Sequence, residues 1–534
     1  MKSHHGPLTR AILSFAFLLP LCLIAPVTAH CAEPDSRIFN VLDYGAKNDG
    51  SASATAAFQR TIRAAEKAGG ATILVPPGSY ISGPIELFSN MTLDIEAGAT
   101  IRFPVAPLPL VKGRYLGVEA LVPAPLIGGD HVENVTITGR GTLVTADYPT
   151  WGKAYGENPR QGKSGNANGP LWQHVLDQLE AGHAVSEQEY RAAAHELRPF
   201  VISFSNAKNI LVQNIRIEGG PDFVVHLLYA ENATVRNVMI TAYPGPHANG
   251  IVVDSSRFVR ISDDFIDTGD DGIVIKAGKD ADGLRVDRPS EDVTITNCTV
   301  HHAHGAVVIG SETSGSIRNV AASNITADGT ENGIRIKSRR GRGGVVEDVR
   351  FDNWTMENVG TGIVVTSYYV MGGESATARE PVSARTPVFR NIAISHITVD
   401  HAKTIADIEG LPEMPISNLH VADVTGSGLR GLNASNTDGL ELRNVELNPA
   451  HGPAFKIESA ANLLLDGVTS SKPLADAPVV QLTGSPNAIL EDSYAFPGTG
   501  TFLKTSPDEI PEIRLNDNFL GNAKVAVQSD LQAQ

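Results

Sequence analysis

The segments Gly250-Ile251-Val252-Val253, Gly272-Ile273-Val274-Ile275, Gly305-Ala306-Val307-Val308, Gly333-Ile334-Arg335-Ile336 and Gly362-Ile363-Val364-Val365 begin 22, 33, 28 and 29 residues apart. Each is a short β-branched run opened by glycine, the composition of a strand after a turn. Thr404-Ile405-Ala406-Asp407, Ala454-Phe455-Lys456-Ile457 and Val479-Val480-Gln481-Leu482 continue the series less regularly. Self-similar units of this length indicate a solenoid. No amphipathic helix lies between the runs, so the array is neither leucine-rich nor helical. The chain reads as all-β: a right-handed parallel β-helix (β-solenoid) with one coil per repeat.

A second motif accompanies the first. Asn134-Val135-Thr136-Ile137, Asn209-Ile210-Leu211-Val212, Asn232-Ala233-Thr234-Val235, Asn353-Trp354-Thr355-Met356, Asn391-Ile392-Ala393-Ile394 and Asn444-Val445-Glu446-Leu447 place asparagine before an alternating apolar strand. Two regions break the repeat. Between Ser53 and Gly69, Phe58, Ile62 and Ala65 have helical spacing and Gly69-Gly70 supplies a stop, which predicts a short helix capping the open N-terminal end. Residues 148–197 are polar and partly helical, with Trp172, Val175, Leu179 and Leu197 as the apolar positions. They read as an insertion beside the coils, a cleft wall or lid. One β-helix domain over residues 36–530 is expected.

The composition narrows the function. Of 534 residues, 42% are hydrophobic and 19% charged, enough core and too little charge for a disordered chain. The formal charge of -16 provides no basic field for nucleic acid or an anionic membrane, so an anionic substrate requires a local cluster of cations. Lys2 and Arg10 precede an apolar run from Ala11 to Val27, and Val27-Thr28-Ala29 offers small residues for cleavage. Residues 1–29 thus read as a secretory signal peptide, and the mature protein as periplasmic or secreted. Of the three cysteines, Cys22 leaves with that signal. Cys31 and Cys298 are read equally well as a disulfide or as free thiols.

In a stacked solenoid, equivalent positions of successive coils lie about 4.8 Å apart. Residues beside the glycine-led strands are therefore neighbours: Asn249, then Asp270 and Asp271, then His304, then Arg335 and Lys337. With the imidazole and the two cations, the two carboxylates make a polar row on one face of the cylinder. Arg335 and Lys337 are two apart on one strand and share a face. With Arg339, Arg340 and Arg342 they supply the local basic cluster. Tyr369, beside Tyr368, reads either as a platform for a sugar ring or as packing. His301, His302 and His304 lack the ligand spacing of a closed zinc site, and no metal or cofactor is expected.

These segments resemble the polygalacturonases of glycoside hydrolase family 28. Thr268-Gly269-Asp270-Asp271-Gly272-Ile273 matches the family's Gly-Asp-Asp signature, Ala303-His304-Gly305 most of Gly-His-Gly, and Arg335-Ile336-Lys337 its Arg-Ile-Lys. Asp43-Tyr44-Gly45-Ala46 and Val75-Pro76-Pro77-Gly78-Ser79-Tyr80 are similar to the family's first coil. The resemblance implies Asp270 as acid, Asp271 as base, His304 tuning the pair, and Arg335 and Lys337 holding a galacturonate carboxylate, in an inverting, cofactor-free hydrolysis of pectin. It departs at His247-Ala248-Asn249-Gly250, where Asn249 replaces a third aspartate; an amide can bind water or substrate but cannot take its proton. Three alternatives stay open: a hydrolase of rhamnogalacturonan or decorated pectin, a pectate-lyase-like enzyme on the same scaffold, and a non-catalytic pectin-binding solenoid. Chain-end or internal cleavage and the oligomeric state are not written in the sequence, although an insertion walling one end of the cleft would favour chain-end action.

Overall fold

A computed structural model describes residues 37–146, 150–151, 169–369 and 378–529. The expected signal peptide, Cys31 and part of the 148–197 insertion lie outside those residues. From Ile38 to Ser529, 38 strands form one continuous sheet wound as a parallel β-helix, each coil pairing in parallel with the next. Valine, isoleucine and leucine fill its interior as a single core running from Val41 to Leu503.

The asparagine motif marks two corners of the coil, Asn134, Asn209, Asn232 and Asn391 at one and Asn353 and Asn444 at the other. Asn134, Asn209, Asn232, Asn353, Asn391 and Asn444 all have φ between 50° and 58°. This left-handed conformation excludes most side chains, but asparagine tolerates it. Stacking brings the amides into hydrogen-bonded ladders. Asn134 donates to Asn90 at 2.8 Å, Asn209 to Asn134 at 2.9 Å and Asn232 to Asn209 at 2.7 Å. A second ladder, five residues later in each coil, runs from Asp263 through Asn297, Asn324 and Asn353 in the same way.

From Arg257 to Ala406 the ladder corner keeps register with the strands that follow it, whereas Ile251 stands 20 residues after Glu231. Sixteen residues separate Arg257 from Ile273, Glu291 from Val307, Arg318 from Ile334, Glu347 from Ile363 and Arg390 from Ala406, each a pair of positions aligned in successive coils. Length varies on the far side of those strands, where the return to the ladder takes 3 residues after Asp254 but 24 after Thr366. This pairing corrects one expectation. Val307, not Ala306, aligns with Ile273 and Ile334, so the equivalent of Gly272 is Ala306 and Gly305 belongs to the preceding corner. The glycine series slips there by one residue because Gly305 serves the corner's packing instead of opening the strand.

The expected cap is helix α1, Thr55–Lys67, with Ala57, Phe58, Thr61, Ile62 and Ala65 buried. It stops at Gly69 and Gly70, both left-handed; a Cβ at Gly70 would meet the Asn90 carbonyl oxygen at 2.4 Å. In the insertion, helix α2 (Gly169–Glu180) is followed by α3 (Glu187–Ala193), which opens with a Ser186–Glu189 capping box. A hairpin absent from the sequence reading, Leu110–Tyr115 with Val118–Pro123, lies alongside. Trp172 and Val175 of α2 and Tyr115, Val118 and Val122 of the hairpin pack with Phe200 and Phe223 onto the outward residues Val252, Val274 and Val308. The outer face of three consecutive coils is thereby covered.

Candidate active site

Asp270 and Asp271 occupy the corner that leads into the strand Ile273–Lys276. Asn249 and Asp271 each stand two residues before the aligned Ile251 and Ile273, so the amide of Asn249 occupies the coil next to Asp271. Gly305 holds the same place one coil further on. A parallel row is formed by Ala248, Asp270 and His304: the Asp270 amide donates to the Ala248 carbonyl at 3.4 Å and the His304 amide to the Asp270 carbonyl at 3.0 Å. A Cβ on Gly305 would lie 2.4 Å from Val308 Cγ2 and 3.4 Å from Asp271 Oδ1. The missing side chain leaves Asp271 an open oxygen.

The two carboxyls differ because their surroundings differ. Asp271 is buried, and burial alone would favour its neutral form. Lys337 Nζ at 2.9 Å from Oδ2, together with the positive charge of His304 and Arg335, outweighs that and holds Asp271 below its ordinary value. For Asp270, burial and the Asp271 charge act together and push it up to about 6. Oδ1 of Asp270 accepts the Asp271 amide at 2.8 Å. The corner thus contains one carboxyl that stays protonated in mild acid beside one that stays ionised. Burial pushes His304 down to about 4, so its ring is neutral where Asp270 titrates.

The predicted substrate side forms on the outward face of the strand Asn332–Lys337. Arg335 Nε and Nη1 are buried and hydrogen-bond to nothing among the described residues, whereas Lys337 is committed to Asp271. Tyr369 lies across both cations, its ring centre 5.4 Å from the Arg335 guanidinium carbon and 5.0 Å from Lys337 Nζ. The five-cation cluster expected from sequence is smaller in the structure. Arg340 is bound by Glu413 at 2.6 Å, Arg342 by Asp280 at 3.0 Å, and Arg339 lies 3.9 Å from Asp280. These three brace loops, whereas Arg335 keeps both Nε and Nη1 without an acceptor among the described residues. Asn249 is buried, with Nδ2 3.4 Å from the His247 carbonyl.

Other charged residues support this row without having been singled out. Glu331 Oε2 lies 3.2 Å from His304 Nε2 and Asn332 Nδ2 donates to the His304 carbonyl at 2.7 Å. Lys276, one of the residues whose charge acts on both aspartates, is buried against Glu312 at 2.6 Å, which keeps the lysine charged. Strand parity could have found Lys276, since it stands in the Lys337 row with only Gly310 between them. Nothing in the sequence marks Glu312 as its partner. Asp254 is tied to Arg114 at 2.7 Å and does not reach the corner as a replacement for the missing aspartate. One oxygen each of Asp270 and Asp271 and a His304 nitrogen lie within 4.8 Å of one another, but the Lys337 ammonium already balances Asp271.

A protonated carboxyl beside an ionised one, at a strand corner of a parallel β-helix with a free guanidinium next to it, defines a glycoside hydrolase acting on acidic sugars. Known proteins agree with that class. Residues 180–431 match the glycosyl hydrolases family 28, and residues 38–100 the rhamnogalacturonase A/epimerase, pectate lyase-like family. A hyperthermoactive exopolygalacturonase from Thermotoga maritima is 31% identical, with a TM-score of 0.70 over 78% of this chain and 92% of that one. A probable polygalacturonase of Vitis vinifera is 28% identical over 72% of this chain and 73% of its own, and an exo-poly-alpha-D-galacturonosidase of Dickeya chrysanthemi 26% over 81% and 75%. The chain belongs to glycosyl hydrolases family 28.

Proposed function

We propose that this enzyme hydrolyses α-linked galacturonate in pectin with Asp270 as general acid, Asp271 as the base that activates water, and Arg335 as the clamp on a substrate carboxylate. The observation that carries this reading is the divergence of two adjacent carboxyls, Asp270 raised to about 6 and Asp271 lowered. Asp270 gives its proton to the leaving oxygen. The open Oδ1 of Asp271 accepts a proton from a water that Asn249 helps to orient. Asp271 is 2% exposed, so a water reaches the anomeric carbon more readily than the carboxylate itself, which favours inversion. Carboxyl spacing alone would not, since inverting pairs usually stand ~6.5–9.5 Å apart. Proton NMR of the first product checks this: β-galacturonate supports inversion, and an initial α-anomer overturns it.

Chain-end cleavage is supported by the cover of α2 and the hairpin over Val252, Val274 and Val308, which leaves the Arg335 coil outside it. Product chromatography from polygalacturonate tests this, because monomer from the first minutes fits exo action and a ladder of oligomers rules it out. Release of product only from rhamnogalacturonan would keep the mechanism and move the substrate. The charged leader and small-residue cleavage site support a mature protein outside the cytoplasm, and N-terminal sequencing of that protein would check for processing after Ala29. Among the described residues no helix is long and apolar enough to cross a membrane.

A further inference from the structure

Helix α1 has a second face. Ala56, Arg60, Arg63 and Lys67 follow helical spacing on the side away from the core and line a cavity of about 1150 Å³ between the cap and the 110–123 hairpin. Its floor is the outward face of the earlier coils, with Ser203, Ser205, His226 and Leu228. Its far wall includes Lys112 and Arg114 of the hairpin. The aspartate pair, Arg335 and Lys337 are absent from its lining.

Three features give this cavity the character of a site. The first is buried hydrogen-bonding capacity without a partner. Arg114 is 1% exposed; its Nη1 binds Asp254 and Ser255 and its guanidinium lies 4.8 Å from the Tyr229 ring centre, but Nε and Nη2 hydrogen-bond to nothing among the described residues. His226 Nε2 beside it is also unpartnered, 3.8 Å from Asp254. Buried donors of this kind are costly unless something occupies them. The second is charge. Five cations line the cavity (Arg60, Arg63, Lys67, Lys112 and Arg114) against the carboxylates Glu86 and Asp130, in a chain whose net charge is -16. Lys67 and Lys112 are exposed and make no ion pair among the described residues. The third is apolar surface: the Phe88 ring, with Arg63 4.6 Å from its centre, lines the cavity. The volume exceeds the ~300–1,000 Å³ of a small-molecule pocket and suits several linked sugar rings.

We propose that this cavity is a second binding site for an acidic oligosaccharide, an exosite on the same face of the β-helix as the catalytic corner but separated from it by the hairpin and α2. The choice of a uronate-containing ligand rests on the pectin-hydrolase reading; the cavity and its charge do not. Engagement of a polymer at two places would raise its local concentration at the acid pair.

The test is calorimetric titration of tetragalacturonate into mature Asp270→Asn protein, which binds without turnover. Two binding events are expected. Arg335→Gln should remove the catalytic one, and Lys67→Glu with Lys112→Glu should weaken the other by roughly tenfold, with strong dependence on salt. Both substituted lysines are exposed, so loss of folding would not confuse the result, and circular dichroism would check it. A single event, lost in Arg335→Gln and indifferent to the lysine changes, overturns the exosite. A single event lost only with the lysine changes keeps the exosite and overturns substrate binding at the catalytic corner. Equal binding of neutral maltotetraose at the lysine-sensitive site would overturn the acidic specificity.

Discussion

The asparagine ladders and the catalytic row are built by the same operation, stacking of one corner of the coil at the strand spacing, yet they do opposite things. Where the ladder runs through Asn134, Asn209 and Asn232, neutral amides that both donate and accept satisfy each other in sequence. Along the catalytic row unlike residues succeed one another. Asn249, Asp271 and Gly305 occupy one line, Ala248, Asp270 and His304 the next, and atoms remain open at Asp271 Oδ1 and Arg335 Nη1. Repetition of a self-complementary side chain gives a corner that is finished. Interruption of it by charge and by glycine gives a corner that still has something to bind.

The most damaging way to break the comparison is at the acid. Asp270→Asn should lower kcat by about 10²–10⁴ without lowering Tm, because a general acid contributes that much and the amide fits the same space. Full retained activity would make the row architectural. Arg335→Gln should raise KM by about tenfold to a hundredfold with a smaller change in kcat, the worth of a charged hydrogen bond to substrate. Equal losses in both parameters would assign Arg335 to the transition state instead.

pH sharpens the same contrast. Asp270 must be protonated, and its value of about 6 means that kcat/KM falls as pH rises through that region. The acid limb belongs to Asp271, held below the ordinary carboxylate range, so activity persists well below pH 6. Asn249→Asp adds a negative charge one coil from Asp271. It should shift the alkaline limb upward by raising the proton affinity of Asp270. An unmoved limb would mean that residue 249 does not sense the pair.

The smallest expected effect lies in the ladder. Asn324→Ala loses a bond to Asn297 and one from Asn353, and places alanine at φ 56°, at a cost of about 1–3 kcal/mol by thermal unfolding with kcat unchanged. Asn324→Gly keeps the backbone free and should recover part of that loss. If glycine is no better than alanine, the amide chain and not the left-handed turn carries the stability.

Much of this was legible in the sequence because a solenoid turns spacing into contact. Gly272-Ile273-Val274-Ile275 and its relatives announced the coils, and the order of Asp270, Asp271, His304, Arg335 and Lys337 survived into the structure as one neighbourhood. The one-residue slip at Gly305 came from counting by glycine, whose place in a corner is set by packing; counting sixteen from the ladder position Glu291 would have placed Val307 correctly. What stayed hidden were partners contributed by loops of irregular length. Glu312 beneath Lys276, Glu413 and Asp280 on the trailing arginines, and the hairpin that closes the outer face have no fixed spacing to betray them. The basic stripe on α1, Arg60, Arg63 and Lys67, was present in the sequence but belongs to no repeat or motif that would single it out.

The sixteen-residue interval has a consequence for how such an enzyme can change. In the first coils the added sequence falls inside the interval, which runs 69 residues from Glu133 to Ile202, whereas from Arg257 to Ala406 the interval is constant and the slack lies beyond the strand. A loop there can lengthen from the 3 residues after Asp254 to the 24 after Thr366 while the acid pair keeps its coordinates. From Arg257 to Ala406 the molecule behaves like a rail with interchangeable fittings: the coil keeps its gauge while the loops bolted beside it change length.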